Sequence, residues 1–362
     1  MTALTASQAI LPAIDRTRRF LFDRFRWLTF LKLAFIASIT EGVFIRLRYT
    51  VGRAVHAAAA PSAAAAPATP ADFLSHWLWL IGLLFVLGLP IAVFALYLVT
   101  RLRFAFFHCL TRNSSEIRPG WSLYAQQSMR LFEISLGVWA VFSLLAGSLL
   151  YPLFNRYLAL RVQSGPNGLD DFSTALSFAF SSFFTFFFLY VLIWFADTIL
   201  HDFLLPHMAL ENLPVIEAWE QFISRATSDP GAFATYLSER FILPIIGFMS
   251  LSLAAAILGS ILSGLVAVPL AHMESVVRSG SLAGALLAAL VLLPLALLAV
   301  AFAIFVSLCL GGPLATWVRN YALIFYGGRY QALGDLLTPA EAKLAQPPPP
   351  AGIDLTPPPA TV

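Results

Sequence analysis

The sequence predicts an all-α fold: a polytopic membrane bundle of about six transmembrane helices joined by amphipathic cytoplasmic connectors. Three observations predict it. Hydrophobic residues fill 59% of the 362 positions and charged residues only 11%, against roughly 45–50% and about 25% in soluble domains. The apolar residues fall in long uninterrupted runs, which suit hydrocarbon and leave too few charges for a soluble surface. Trp27, Trp77, Trp79, Trp121, Trp194, Trp219 and Trp317 stand near or beyond the ends of those runs, where amphipathic rings favour the headgroup layer; only Trp139 falls mid-run.

Residues 1–26 are too polar to span. Ile10, Ile14, Leu21 and Phe25 recur at helical spacing among Arg16, Arg18, Arg19, Arg24 and Arg26, which predicts an amphipathic cytoplasmic segment drawn to anionic headgroups. A cleaved signal peptide competes with this reading, but Lys32, Glu41, Arg46 and Arg48 in and after the next stretch oppose it. Six spans follow within a membrane domain over 27–337: 27–45, 73–98, 131–151, 172–200, 241–268 and 282–310. Pro90 predicts a kink in the second span. Pro152 closes the third, Pro269 the fifth, and Gly311-Gly312-Pro313 the sixth. The sixth run reaches roughly 43 Å at 1.5 Å per residue, so it must tilt or bend at Pro294 to fit a ~30 Å core. Segment 54–71 is nearly all Ala, Pro, Ser and Thr, which predicts a flexible loop. Residues 338–362 read as a disordered, Pro-rich tail.

Charge sets the expected orientation. One side carries Arg16, Arg18, Arg19, Arg24, Arg26, Arg101, Arg103, Arg112, Arg118, Arg130, Arg225, Arg240, Arg319, Arg329 and Lys343. The other carries Arg46, Arg48, Arg53, Arg156, Arg161 and Arg278, a ratio of 15 to 6 that places both termini in the cytoplasm. Lysine occurs only at Lys32 and Lys343, and neither follows the glycines of a phosphate-binding loop. The basic residues therefore suit phospholipid headgroups and not nucleic acid. Cys109 and Cys309 have no metal-ligand spacing and imply no disulfide. HExxH, GxSxG and zinc-spaced Cys/His sets are absent, so no catalytic residue, metal or cofactor is implied. No stretch between spans is long enough to fold as a separate soluble catalytic domain.

Ionisable residues at membrane depth are the candidate binding residues, because burying an unpaired charge there is costly. Lys32 and Glu41 lie nine apart, on roughly opposite faces of one helix, so each needs a partner other than the other. Asp197, His201, Asp202 and His207 cluster with Glu211 after the fourth span. Asp197 and His201 share a face at i and i+4, compatible with a metal or a proton-carrying pair, or with plain capping. Pro206 is expected to interrupt the helix before His207. The two longer connectors look alike, with turns at Arg118-Pro119-Gly120 and Asp229-Pro230-Gly231, which suggests a parallel repeat. In the second connector Val215, Trp219, Phe222 and Ile223 share an apolar face, with Asn212 placed to cap it and Pro214 in its first turn. That helix is expected along the inner leaflet, or against a partner helix. Ridges of small residues (Ala255, Gly259, Ser263; Ser252, Ala256, Ser260, Gly264) predict close helix packing in the fifth span.

Several short segments resemble bacterial six-helix membrane domains, including those attached to some glycerophosphodiester phosphodiesterases. They are Arg26-Trp27, Arg101-Leu102-Arg103-Phe104, Asp202-Phe203-Leu204-Leu205-Pro206, Ala218-Trp219 and Arg319-Asn320-Tyr321. The resemblance implies the architecture and a bacterial inner membrane. The phosphodiesterase domain itself is absent, so its activity is not implied.

The leading expectation is a noncatalytic membrane component that organises lipid or a partner protein, with a homo-oligomer as a further option. A small-solute or ion transporter is the alternative, and a membrane-embedded enzyme the third. Transport requires Lys32, Glu41 and the Asp197 cluster to converge on a cavity. A scaffold requires a dry interior with charges at its surfaces. An enzyme requires His201 or His207 to meet carboxylates in a wet pocket.

Overall fold

The structure, a computed structural model, describes residues 3–23, 25–41, 70–164, 172–278 and 282–338. Every regular element among them is helical. A 3-10 turn at Ser7–Ala9 leads into α1 (Ile10–Phe22), α2 (Trp27–Thr40), α3 (Pro70–Arg112), α4 (Ile117–Leu123), α5 (Ala125–Ser164) and α6 (Phe172–Thr198). A π-helical turn (Ile199–Leu204) follows, then α7 (Leu205–Glu211), α8 (Val215–Ser228), α9 (Pro230–Arg278), α10 (Leu282–Gly327) and α11 (Gln331–Leu337). Arg46, Arg48, most of the Ala-rich segment and the Pro-rich tail from 339 lie outside the described residues, as do most side chains of the small-residue ridges.

Four stretches are long and apolar enough to cross a membrane: Val86–Arg112, Ala125–Tyr157, Leu176–Glu211 and Pro230–Leu253. They mark the chain as a multi-pass membrane protein. The expected six crossings thus meet four such stretches among the described residues. The first expected span is a helix of only 14 residues, roughly 21 Å long and short of a ~30 Å core.

The long helices overrun the ends read from the sequence. α3, α5, α9 and α10 hold 43, 40, 49 and 46 residues, or roughly 60–74 Å, about twice a hydrocarbon core. Pro152 lies inside α5 and Pro313 inside α10, and the Arg101-Leu102-Arg103-Phe104 exit lies inside α3. Each proline removes one helical hydrogen bond, a loss that packing along the rest of a long helix offsets. Gly311-Gly312-Pro313 does not end α10, and Gly312 answers a steric need instead. A Cβ on Gly312 would stand 2.3 Å from the Cβ of Ala34, so the glycine lets α2 lie against α10.

α1 and α2 flank α10 in opposite directions. Arg329 donates to the Leu4 carbonyl and Asn320 to the Thr17 hydroxyl, so α1 runs against α10. Trp27 meets Phe305 and Ala34 meets Gly312, so α2 runs with it. A first and a sixth crossing would run oppositely. Nor does α1 bury its Ile10–Ile14 face. It buries Ala9, Ala13, Thr17 and Leu21, four residues apart, and leaves Leu11, Ile14, Phe22 and Phe25 exposed.

Burial is concentrated at one end of these stretches. In the most apolar window of three of the four, only 6% of residues are buried. The ends of α3, α6 and α10 and the starts of α5 and α9 instead bury Phe104, Phe107, Leu131, Phe203, Phe233 and Phe325 in one core. Tyr236 stacks on Tyr321 and Phe325 at 5.3 and 4.3 Å. The spans therefore end in a packed helical cap.

Within the cap, Pro119 and Gly120 belong to α4 and do not form a turn, whereas Pro230 opens α9. Both prolines sit in first helical turns, where the missing N–H is not needed. Their glycines differ. A Cβ on Gly120 would meet His108 at 2.7 Å, while Gly231 faces open space. Asn113 and Asn212 take left-handed φ of 50° and 55°, a conformation asparagine tolerates at helix ends. Asn212 thus closes α7, and Pro214 is the residue that precedes α8.

Candidate functional site

The π-helical turn at the end of α6 creates the site. It buries Ile199, His201, Asp202, Phe203 and Leu204 together, which a helix end surrounded by other helices requires. A π turn inserts a residue into the helical register and often marks a functional position. The helix continues through Pro206, which occupies the first turn of α7. The expected break there does not occur.

Asp202 is the centre. Its side chain is wholly buried, and it accepts three hydrogen bonds. The Tyr236 hydroxyl donates to Oδ2 at 2.7 Å, Arg240 Nε to the same oxygen at 3.0 Å, and Arg319 Nη1 to Oδ1 at 2.7 Å. Arg319 Nη2 also donates to the His201 carbonyl at 2.9 Å. Arg240 reaches on to Glu41 at 3.0 Å. Glu41 thus finds a partner in α9.

A second ion pair lies alongside. Arg103 binds both oxygens of Asp197, at 3.1 and 3.4 Å, contacts His201 Nε2, and donates Nε–H to the carbonyl of Thr40 at the end of α2. His201 Nδ1 faces Asp197 at 3.5 Å, so the i, i+4 pair does form. Three arginines (Arg103, Arg240, Arg319) answer three carboxylates (Glu41, Asp197, Asp202). The assembly is neutral and ties α2, α3, α6, α9 and α10 together. Buried charges of this kind persist only when mutually paired and hydrogen-bonded.

His207 belongs to a neighbouring cluster. Its Nε2 shares a 2.7 Å hydrogen bond with the Tyr326 hydroxyl, its ring lies 4.2 Å from that of Tyr330, and Glu211 stands 3.7 Å from its Nδ1. Arg225 lies over the Tyr330 ring at 5.2 Å and 3.5 Å from His207 Nε2. Burial pushes the phenols of Tyr321, Tyr326 and Tyr330 above the usual tyrosine range. Lys32 is exposed on α2, outside both clusters.

The structure thus gathers Glu41, Asp197, His201 and Asp202, places His207 beside them, and leaves Lys32 out. The arginines that answer the carboxylates were not legible as partners, because each also reads as an inner-side positive charge. The need itself was legible, since a carboxylate buried in an apolar helix demands a cation; which arginine answers it was not. Arg16 likewise turns inward, donating to the carbonyls of Leu110 and Leu337, and burial lowers its pKa. Arg18, Arg19, Arg26, Arg112 and Arg118 remain exposed.

Fold and site together define a helical membrane protein whose spans are locked at one end by a buried ionic knot. The chain belongs to a family of unknown function, DUF7544, which matches residues 4–336. No curated protein and no solved structure matches it.

Proposed function

We propose that the chain is a noncatalytic component of the bacterial cytoplasmic membrane, with both termini in the cytoplasm, that organises the lipid around its spans beneath a rigid helical cap. One observation carries this reading. The charges expected at the surfaces of a scaffold gather inside instead, where Arg240 answers Glu41 and where Asp202, wholly buried, already accepts from three donors. A carboxylate so engaged is poorly placed to take a proton from a substrate or to bind a passing ion. The sparsely packed spans beyond it present apolar side chains, such as Phe183, Phe184 and Leu144, outward, a surface that lipid covers.

The transport alternative draws on the same convergence of Glu41, Asp197, His201 and Asp202, and needs a water-filled path to them. An enzyme, the third reading, needs water at His207, whose side chain is wholly buried.

The full chain purified in mild detergent is expected to retain bound phospholipid in native mass spectrometry. A bare chain overturns the reading. So does flux of protons or solutes across reconstituted vesicles above the protein-free level, which would favour transport.

A further inference from the structure

α1 and α2 form a hairpin whose closed end points away from the cap. α1 descends along α10, with Leu4 beside Arg329 and Thr17 beside Asn320. α2 climbs back, with Trp27 beside Phe305 and Ala34 beside Gly312, and its far end delivers Glu41 to Arg240. Phe305 lies about 21 Å back along α10 from Arg319, at 1.5 Å per residue, within the apolar run 282–310. Leu298, Phe302 and Ile304 are exposed near it. Because α1 stands along α10, it does not lie flat on a bilayer, and only the closed end of the hairpin reaches one.

That end is aromatic and uncovered. Phe22 and Phe25 are exposed, Trp27 is 59% exposed and Leu28 85%. The ring of Phe25 lies 6.1 Å from that of Phe22, 4.9 Å from Trp27 and 5.6 Å from buried Phe30. Behind them Leu21, Phe30, Leu33 and Ala34 pack into a small core that fixes the hairpin. A contiguous apolar patch of this kind marks an interaction surface, and aromatic rings beside basic residues suit the layer between headgroups and acyl chains.

Charge names the occupant. The exposed charges of the hairpin, among the described residues, are Arg18, Arg19, Arg26 and Lys32 against Asp15 and Asp23, or 4 − 2 = +2. That balance favours an anionic lipid surface. Arg26 stands between Phe25 and Trp27 and sets the depth, because a guanidinium at the bilayer centre is costly. The tip stops where Arg26 meets phosphate and the rings beside it meet acyl chain. Lys32, one turn from Leu28 on the same face of α2, reaches back to the headgroups along its own stem.

We infer that the α1–α2 hairpin is an interfacial anchor that dips into the cap-side leaflet of an anionic bilayer and returns without crossing. The inference rests on the lipid-organising reading above and names the element that grips the headgroup layer.

The test puts a nitroxide on one new cysteine in the full chain, Leu28→Cys at the tip or Leu11→Cys in the exposed part of α1 nearer the cap. The chain is reconstituted in vesicles of phosphatidylcholine and phosphatidylglycerol. The unsubstituted chain, whose Cys109 is buried and Cys309 half-buried, is the blank. Oxygen, which concentrates in hydrocarbon, is expected to relax the Leu28 label more than a water-soluble nickel chelate does, with the order reversed at Leu11. A Leu28 label as open to nickel as the Leu11 label overturns the inference. So does shielding of the Leu28 label from both reagents, which would put a protein partner or a second copy on the tip. Arg26→Gln is expected to lower retention of phosphatidylglycerol relative to phosphatidylcholine about fivefold in native mass spectrometry, the share of one basic side chain at an anionic surface. An unchanged ratio overturns the choice of an anionic surface. A chain that retains lipid while its tip stays in water loses the anchor alone, whereas a bare chain loses the lipid-organising reading as well.

Discussion

Asp202 shows how much one residue can hold. Two guanidiniums and a phenol converge on a carboxylate with no exposed surface. Replacing it with alanine leaves Arg319 and part of Arg240 buried without a counter-charge, which costs about 3–5 kcal/mol. Asp202→Ala is therefore expected to lower the thermal midpoint of the detergent-solubilised chain sharply, or to prevent its recovery. Lys32→Ala, at an exposed position, is expected to stay within about 0.5 kcal/mol. Similar midpoints for the two variants would refute the central place given to the knot. The tyrosines supply a pH test. Tyr321 is buried, donates to Glu239 at 2.9 Å, and has its phenol pKa raised by burial first and by that acid second. The folded state therefore holds protons that the unfolded chain releases above about pH 10. Their stabilising share is complete below that pH and is lost as pH rises beyond it. The midpoint should be flat from about pH 7 to 9 and fall above about pH 10, with a shallower fall in Tyr321→Phe. A midpoint that does not fall in alkali contradicts the burial of these phenols.

Glycines and prolines divide the elements differently from what their reputation as punctuation suggests. Spans were legible because composition and run length report on hydrocarbon directly. Their ends were not legible, because the helices continue into a cap whose apolar residues the same runs do not include. Phe104, Phe106 and Phe107 follow Arg101 and Arg103, and a local reading takes those arginines for an exit from the membrane. Gly312 misled for a related reason: in isolation a Gly-Gly-Pro reads as a stop, and only the neighbouring α2 shows that the missing Cβ makes room. The two meanings of glycine are separable by mutation. Gly312→Ala forces Ala34 and the α2 backbone, whose Cα stands 2.7 Å from the new Cβ, to move. Overpacking of that kind costs about 1–3 kcal/mol. Gly147 lies in α5 with nothing within 4 Å of a new Cβ, so Gly147→Ala is expected to gain up to about 1 kcal/mol of helix propensity. Thermal unfolding of the two variants side by side decides the matter, and loss of stability at both positions would count against the close approach of α2 as the cause.

At the scale of the whole molecule the cap brings the two described ends of the chain together. The Leu4 carbonyl lies 2.9 Å from Arg329 Nη1, and the Leu337 carbonyl 3.1 Å from Arg16 Nη1. Both ends must then share one side of the membrane, whatever the number of crossings between them. Which side depends on the arginines. Of the 15 basic residues on the expected inner side, seven (Arg16, Arg101, Arg103, Arg225, Arg240, Arg319, Arg329) bond inside the cap. Removing them gives 15 − 7 = 8 against 6 on the other side, a ratio too even to orient a protein. Insertion, however, sorts charges before the helices have packed, so all 15 act during it, and the later ion pairs use charges already held inside. The cap is thus expected to face the cytoplasm. Tags fused at the two termini should both be shielded in intact cells and both become accessible after permeabilisation. Accessibility of one tag alone would contradict the cap, because no packing of α1 against α10 survives with the ends on opposite sides. Accessibility of both from outside would leave the cap standing and reverse the charge argument, with the knot then facing away from the cytoplasm.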